Sequence, residues 1–188
     1  MLNTQDLALL TNLHELTMAQ AYFQSGHVAP ASFSLSVRHY RDMRTYLIAA
    51  GLADTLETLQ TWRFPHHSID YLHSTRLFDQ NFLEFLAQLT FTGDIWALPE
   101  GTILLGDEPI LEVTAPVIQA ALVKTIIHHH VLSNSIIATN AVRCVEAARG
   151  KIVSDFSMQS THGIDRGIKA ARSSYIAGFQ SSSNVLAG

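Results

Sequence analysis

Residues 151–188 read KIVSDFSMQSTHGIDRGIKAARSSYIAGFQSSSNVLAG, and their pattern decides the fold. Residues 151–156 (KIVSDF) form a short apolar run of strand length. Residues 157–165 are polar, 166–179 carry a helical pattern, and 183–187 return to strand-like residues. Strand, loop, helix, strand is the opening of a parallel α/β unit, whose functional loops gather at the C-terminal ends of its strands. Two parallel strands alone leave faces and edges uncovered, so the pattern predicts the front part of a longer α/β protein.

Upstream, Pro116 opens a helical stretch reaching Arg149, with Gly150 as its stop and Arg143 and Arg149 near the end where cations are favoured. Before it, Gly93, Pro99, Gly101, Gly106 and Pro109 punctuate the runs 94–98, 102–105 and 110–113, which predict short strands in a compact β-element. Further back, the spacing predicts helices over 79–89, with Phe82, Phe85, Leu86 and Leu89 on one stripe, and over 68–74, with Ser68 and Asp70 in cap-like positions. Residues 46–62 (YLIAAGLADTLETLQTW) read as a helix interrupted near Gly51. Residues 31–38 alternate Phe33, Leu35 and Val37 with serines and predict a half-buried strand. Residues 4–25 read as a helix with Thr4 as N-cap and Gly26 as stop, Leu13 and Leu16 facing the core and His14 and Glu15 facing water.

With 47% hydrophobic residues the 188-residue chain has ample material for a core, which excludes disorder. A net charge of −4 without any like-charge block argues against a nucleic-acid or anionic-membrane surface. Cys144 is the single cysteine, so an intrachain disulfide is impossible and the composition suits a reducing, cytoplasmic setting. The first twenty residues, with Asp6 and Glu15, do not read as a secretory signal, and no apolar run reaches bilayer length.

Ten histidines invite a metal reading, above all His128-His129-His130 and His66-His67 with His73. Neighbouring helical residues point about 100° apart, so three in a row do not converge on one ion and packing or solvation is the better account. No metal site is predicted. The loop after residues 151–156 is more promising: Asp155, Gln159, Ser160, Thr161, His162, Gly163 and Asp165 crowd a strand end. His162 there reads as an acid, a base or a hydrogen-bonding clamp. A polar loop capped by Asp155 or Asp165, with no chemistry, is the equal alternative. Ser181-Ser182-Ser183-Asn184 suits either a phosphate-holding segment or a Ser-rich turn.

Several stretches together resemble nicotinate phosphoribosyltransferase over practically the whole chain: LTNLHELTMAQAY (10–22), FSLSVR (33–38), YLIAAGL (46–52), FTGDIWALPEGT (91–102), EPILEVTAP (108–116) and YIAGFQSSSNVLAG (175–188), with Ile137-Ala138-Thr139 and Lys169-Ala170-Ala171-Arg172 between them. The resemblance implies an α+β N-terminal domain, residues 1–115, followed by the beginning of a type II phosphoribosyltransferase α/β barrel, residues 116–188. It implies homodimers in which the N-terminal region of one subunit covers the other's barrel mouth. The implied reaction joins nicotinate to 5-phosphoribosyl 1-diphosphate, giving nicotinate mononucleotide and pyrophosphate with Mg²⁺. ATP hydrolysis is coupled through a phosphorylated histidine that lies beyond Gly188, so none of the ten histidines here takes that role.

By position the resemblance puts nicotinate on His14, makes Gln159, Ser160 and His162 the substrate and phosphate loop, and gives Arg172, Ser182 and Asn184 a phosphate or structural part. The departures fall at the same places. The family usually has Asp and a ring-stacking Tyr at Asn12 and His14, and two arginines at Gln159 and Ser160. It tends to have Asn, Asn-Phe-Gln and Lys at His129, Leu132-Ser133-Asn134 and Asn140. Losing two guanidinium groups removes bidentate partners for carboxylate or phosphate. Three readings follow: an active member of the family, a diverged paralogue that binds a ligand or partner without full catalysis, or a phosphoribosyltransferase for another base. The 188 residues by themselves are expected to be inactive.

Overall fold

The computed structural model describes residues 4–37 and 45–187, with the side chains of 4–6 outside that description. The expected Arg38 end of the first strand and the Thr4 cap lie outside the described residues and side chains. Two compact units divide the chain, one of residues up to 35, 54–96 and 111–129, the other of 36–53, 97–110 and 130–188.

In the first unit, a 3-10 turn (Thr4–Leu9) precedes helix α1 (Leu13–Gln24). A single helix over 4–25 does not form, because Asn12 is extended (φ −86°, ψ 148°) and serves as the N-cap of α1. Strand β1 (Pro30–Ser36) pairs with β5 (Pro109–Pro116), which in turn pairs with β3 (Asp94–Ala97). Ser32 bonds Thr114 (2.7 Å) and Ser34 bonds Glu112 (3.2 Å), so side-chain pairs reinforce the β1–β5 ladder. The predicted alternation of β1 does not close into core: Phe33 stays 38% exposed, because its face borders a cavity rather than packed side chains.

Helices α2 (Leu52–Thr61), α3 (His66–Ser74) and α4 (Gln80–Gln88) cover this unit. Asp79 caps α4 by accepting the Phe82 N–H at 2.8 Å. The predicted stripe buries Phe82, Leu86 and Leu89, and Leu83 joins it. Phe82 is fully buried, its ring 5.7 Å from that of Phe23 and 6.0 Å from that of Phe78. Ser68 does not cap α3. Pro65 holds that position and Ser68 is buried one turn in.

The second unit holds β2 (Leu47–Ile48) antiparallel to β4 (Ile103–Leu104), Leu47 opposite Leu104 and Ile48 opposite Ile103. Residues 46–50 are therefore not the start of a helix: Leu47–Ile48 is a strand and the residues on either side of it are not helical. On its other edge β2 meets hydroxyls of α5 (Val117–Ala148): Thr139 Oγ1 accepts the Ile48 N–H at 2.9 Å, and Ser135 Oγ accepts the Ala50 N–H (3.1 Å) while donating to the Ala50 carbonyl (3.2 Å). Two side chains one helical turn apart thus act as a substitute neighbouring strand. Gly51 then reverses the chain at φ +94°, where a Cβ would lie 2.3 Å from the His130 carbonyl oxygen.

Strands β6 (Ser154–Asp155) and β7 (Ser181–Ser182) are parallel, Ser154 opposite Ser181 and Asp155 opposite Ser182, with α6 (Ile164–Ile176) connecting them. The parallel pairing agrees with the sequence, but the second strand is Ser181–Ser182 and not 183–187. Val185–Ala187 is a 3-10 turn with Val185 96% exposed, since the Asn184 side chain accepts the Leu186 N–H (3.2 Å) and bends the chain away. The first strand is likewise only two residues long. Ser157–Gln159 forms a 3-10 turn instead of an open loop.

Candidate substrate site

The start of α1 carries the first group of candidates. Glu15 does not face water as the helical pattern suggests. It is fully buried, while Leu13 is 57% exposed. Its Oε2 accepts from Thr11 Oγ1 (2.7 Å), Thr125 Oγ1 (2.8 Å) and the Asn12 N–H (3.2 Å), and Lys124 Nζ stands 3.2 Å from Oε1. Asn12 Nδ2 donates to Thr125 Oγ1 at 2.8 Å. Burial pushes the Glu15 carboxyl up, but the bonds from Thr11, Thr125, Asn12 and Lys124 together hold it below its ordinary value. This knot fixes the first turn of α1 against α5 and sets His14 on the wall of a cavity of about 470 Å³. Leu35, Leu111, Val113 and Ile127 supply apolar lining; Asn12, Lys124 and His128 supply polar groups. An apolar recess with a few polar groups suits a small ligand.

The second group surrounds the ends of β6 and β7. Asp155 is 5% exposed, and its carboxylate accepts the Ser157 N–H on Oδ1 (3.1 Å) and the Ser182 hydroxyl on Oδ2 (3.0 Å). Ser182 Oγ also accepts the Asn184 N–H at 3.1 Å. Gln159, Ser160 and His162 are exposed beside this network, and Ser160 Oγ donates to the Ser157 carbonyl at 3.1 Å. Asp165 lies in the first turn of α6, whose N-cap is Gly163. Arg172 is held by Glu100, Nη1 at 3.0 Å from Oε1 and Nη2 at 2.6 Å from Oε2. Glu100 Oε1 also accepts the Gly51 and Leu52 N–H groups at 2.6 and 3.0 Å. Arg172, Ser182 and Asn184, the phosphate-or-structural trio, bond to neighbouring protein groups.

The histidines of the described residues do not gather. His128 lines the cavity, His129 is exposed, and the Nδ1 of buried His130 lies 3.3 Å from Lys169 Nζ. Among the described residues no group of three or more His, Cys, Asp or Glu could share a metal ion. The buried Asp155 carboxylate is already committed to Ser157 and Ser182, so these residues do not fit a protein-held Mg²⁺. Sequence reasoning missed Glu15 and Glu100. Their signals were faint: Glu15 stands three residues after Asn12, the spacing of a capping box, and Glu100 sits in a Pro-Glu-Gly turn.

The architecture defines a class first: an α+β unit followed by the start of a type II phosphoribosyltransferase barrel. The crystal structure of human nicotinic acid phosphoribosyltransferase matches with a TM-score of 0.87 at 33% identity, covering 95% of this chain and 37% of that one. Nicotinate-nucleotide pyrophosphorylase from Pyrococcus furiosus shares the fold, with a TM-score of 0.76 at 18% identity over 100% of this chain and 41% of that one. The N-terminal domain of nicotinate phosphoribosyltransferase (NAPRTase) matches residues 9–131, and the chain belongs to this family. A nicotinate phosphoribosyltransferase of Mycobacterium tuberculosis is 43% identical over 180 residues, 96% of this chain and 39% of the relative. That of Bacillus subtilis is 32% identical over 183 residues, 97% of this chain and 37% of the relative. The chain thus spans under two fifths of the length of these relatives. Among the described residues no helix is long and apolar enough to cross a membrane.

Proposed function

We propose that the protein carrying this chain forms nicotinate mononucleotide and pyrophosphate from nicotinate and 5-phosphoribosyl 1-diphosphate, in NAD salvage in the cytoplasm, coupled to ATP hydrolysis with Mg²⁺. The observation that supports this reading is the cavity beside His14 in a chain of this family. In this reading the imidazole of His14 lies against the pyridine ring, and the buried Glu15 knot keeps that ring from drifting. The loop 157–163 faces the phosphoribosyl group. Departure of pyrophosphate leaves positive charge on the ribose, so the protein's contribution is to align the ring nitrogen and hold the phosphates. A homodimer completes the site, and the 188 residues by themselves turn nothing over.

A second reading has one observation in its favour: Gln159 and Ser160 are exposed and uncharged in the loop beside Asp155. A diverged ligand-binding or partner-binding paralogue, or an enzyme for a base that needs less positive charge there, fits that loop. The test compares nicotinate turnover by the full-length protein with that of its Gln159→Arg/Ser160→Arg double variant. Turnover by the unaltered protein supports the first reading. Turnover only in the double variant supports divergence, and turnover in neither refutes both the nicotinate assignment and loss of those cations as the explanation.

A further inference from the structure

We infer that Asp155, which the sequence offers only as a cap of a polar loop and to which the resemblance gives no role, is the positioning residue of the loop cluster. The inference rests on the reading that loop 157–163 faces the phosphoribosyl substrate. Asp155 ends β6, is 5% exposed, and has each carboxylate oxygen engaged by a different segment: Oδ1 by the Ser157 N–H (3.1 Å) and Oδ2 by the Ser182 hydroxyl (3.0 Å). Its own carbonyl accepts the Ser183 N–H at 2.8 Å. A buried carboxylate is costly unless donors surround it, so its presence here marks a geometry that needs two separate donors fixed at once.

The tie extends on both sides. Ser182 Oγ, while donating its hydroxyl hydrogen to Asp155, also accepts the Asn184 N–H (3.1 Å), and Asn184 Nδ2 reaches Met158 Sδ at 3.5 Å. Met158 in turn lies against Gly167 of α6, where a Cβ would stand 2.2 Å from its sulfur. The turn after β6, the segment after β7 and the first turns of α6 therefore share one frame centred on Asp155. The frame makes two statements about the site. Ser182 is a relay whose proton is committed to Asp155, not a free donor to a phosphate. The Gln159–His162 segment is held by its base at Ser157 and at Met158, so its exposed side chains start from a preset position.

Asp155→Ala, Asp155→Asn and Ser182→Ala in the full-length protein test this. Asn retains the acceptor for Ser157 and can donate its amide to Ser182 Oγ, so it keeps the frame; Ala removes both ties. Amide hydrogen exchange across 157–163 and 181–186 is expected to quicken together in Asp155→Ala, to quicken chiefly across 181–186 in Ser182→Ala, and to stay near the unaltered rate in Asp155→Asn. With nicotinate and 5-phosphoribosyl 1-diphosphate, kcat/KM falls by on the order of tenfold or more in Asp155→Ala, and Asp155→Asn restores most of it. Unchanged exchange in both segments of a folded Asp155→Ala overturns the inference, as does Asp155→Asn behaving like Ala. If the unaltered protein turns over neither substrate, the functional reading fails on its own, and the exchange data still decide the frame. Loosened segments with kcat/KM unchanged would make Asp155 a purely structural tie and also overturn its positioning role.

Discussion

Replacing Glu100 by Ala removes the acceptor of four hydrogen bonds at once, from the Gly51 and Leu52 N–H groups and from both Arg172 guanidinium nitrogens. The two backbone donors stand at the start of α2, and losing such a cap costs about 1–2 kcal/mol. Arg172 is 43% exposed and returns to water when released, so the ion pair adds no more than about 1 kcal/mol. The expected loss is about 1–3 kcal/mol, read as a lower urea midpoint at constant slope, or as a fall of roughly 2–12 °C in Tm for a domain of this size. Arg172→Ala keeps the cap and loses only about 1 kcal/mol. Burial pushes the Glu100 carboxyl up, but Arg172 and the Gly51 and Leu52 N–H groups hold it below its ordinary 4.5. A depressed carboxylate stabilises above the unfolded value, and that contribution disappears as pH falls through the folded one. The gap between the unaltered protein and Glu100→Gln should therefore be full at pH 6–7 and close below about pH 4.5. A loss under about 0.5 kcal/mol in Glu100→Ala, or a gap that widens with acid, refutes the reasoning.

Thr139→Val keeps the shape on α5 but strands the Ile48 N–H, and equilibrium unfolding should show a loss of about 1–3 kcal/mol. Phe82→Ala empties a fully buried site in the aromatic cluster and should cost about 3–5 kcal/mol by the same measurement. Glu15→Gln should destabilise at neutral pH and progressively less as pH falls below the ordinary carboxylate range, since Glu15 is also held low; thermal melts from pH 7 to 3 check the sign. Gly51→Ala puts a Cβ against the His130 carbonyl at φ +94° and should be among the most damaging single-methyl additions, judged by soluble yield and melting temperature.

Much of this was legible before any coordinates. The α4 stripe, the long α5 with its Gly150 stop, the β-rich 94–116 and the parallel β6–α6–β7 unit follow from period and punctuation. Residues 46–50 misled because Leu, Ile and Ala suit a helix as well as a strand. Only the partners decide: the β4 backbone on one edge, and Thr139 and Ser135 on the other. Glu15 misled for a related reason, since an acidic residue on a helix is normally solvated, and the donors that bury it include Thr125 and Lys124, over a hundred residues away. The family motifs pointed to His14 and the 159–163 loop. What lay beneath that loop, the Asp155 carboxylate shared between two strand ends, is a consequence of parallel pairing that no linear spacing reveals.

The most direct measurement supplies the full-length protein with isotope-labelled nicotinate, 5-phosphoribosyl 1-diphosphate, Mg²⁺ and ATP, and identifies the product by mass spectrometry. Labelled nicotinate mononucleotide, formed with stoichiometric pyrophosphate and sharply reduced in His14→Ala, is the predicted result. No labelled nucleotide from a folded protein, or an equal yield from His14→Ala, would contradict the account.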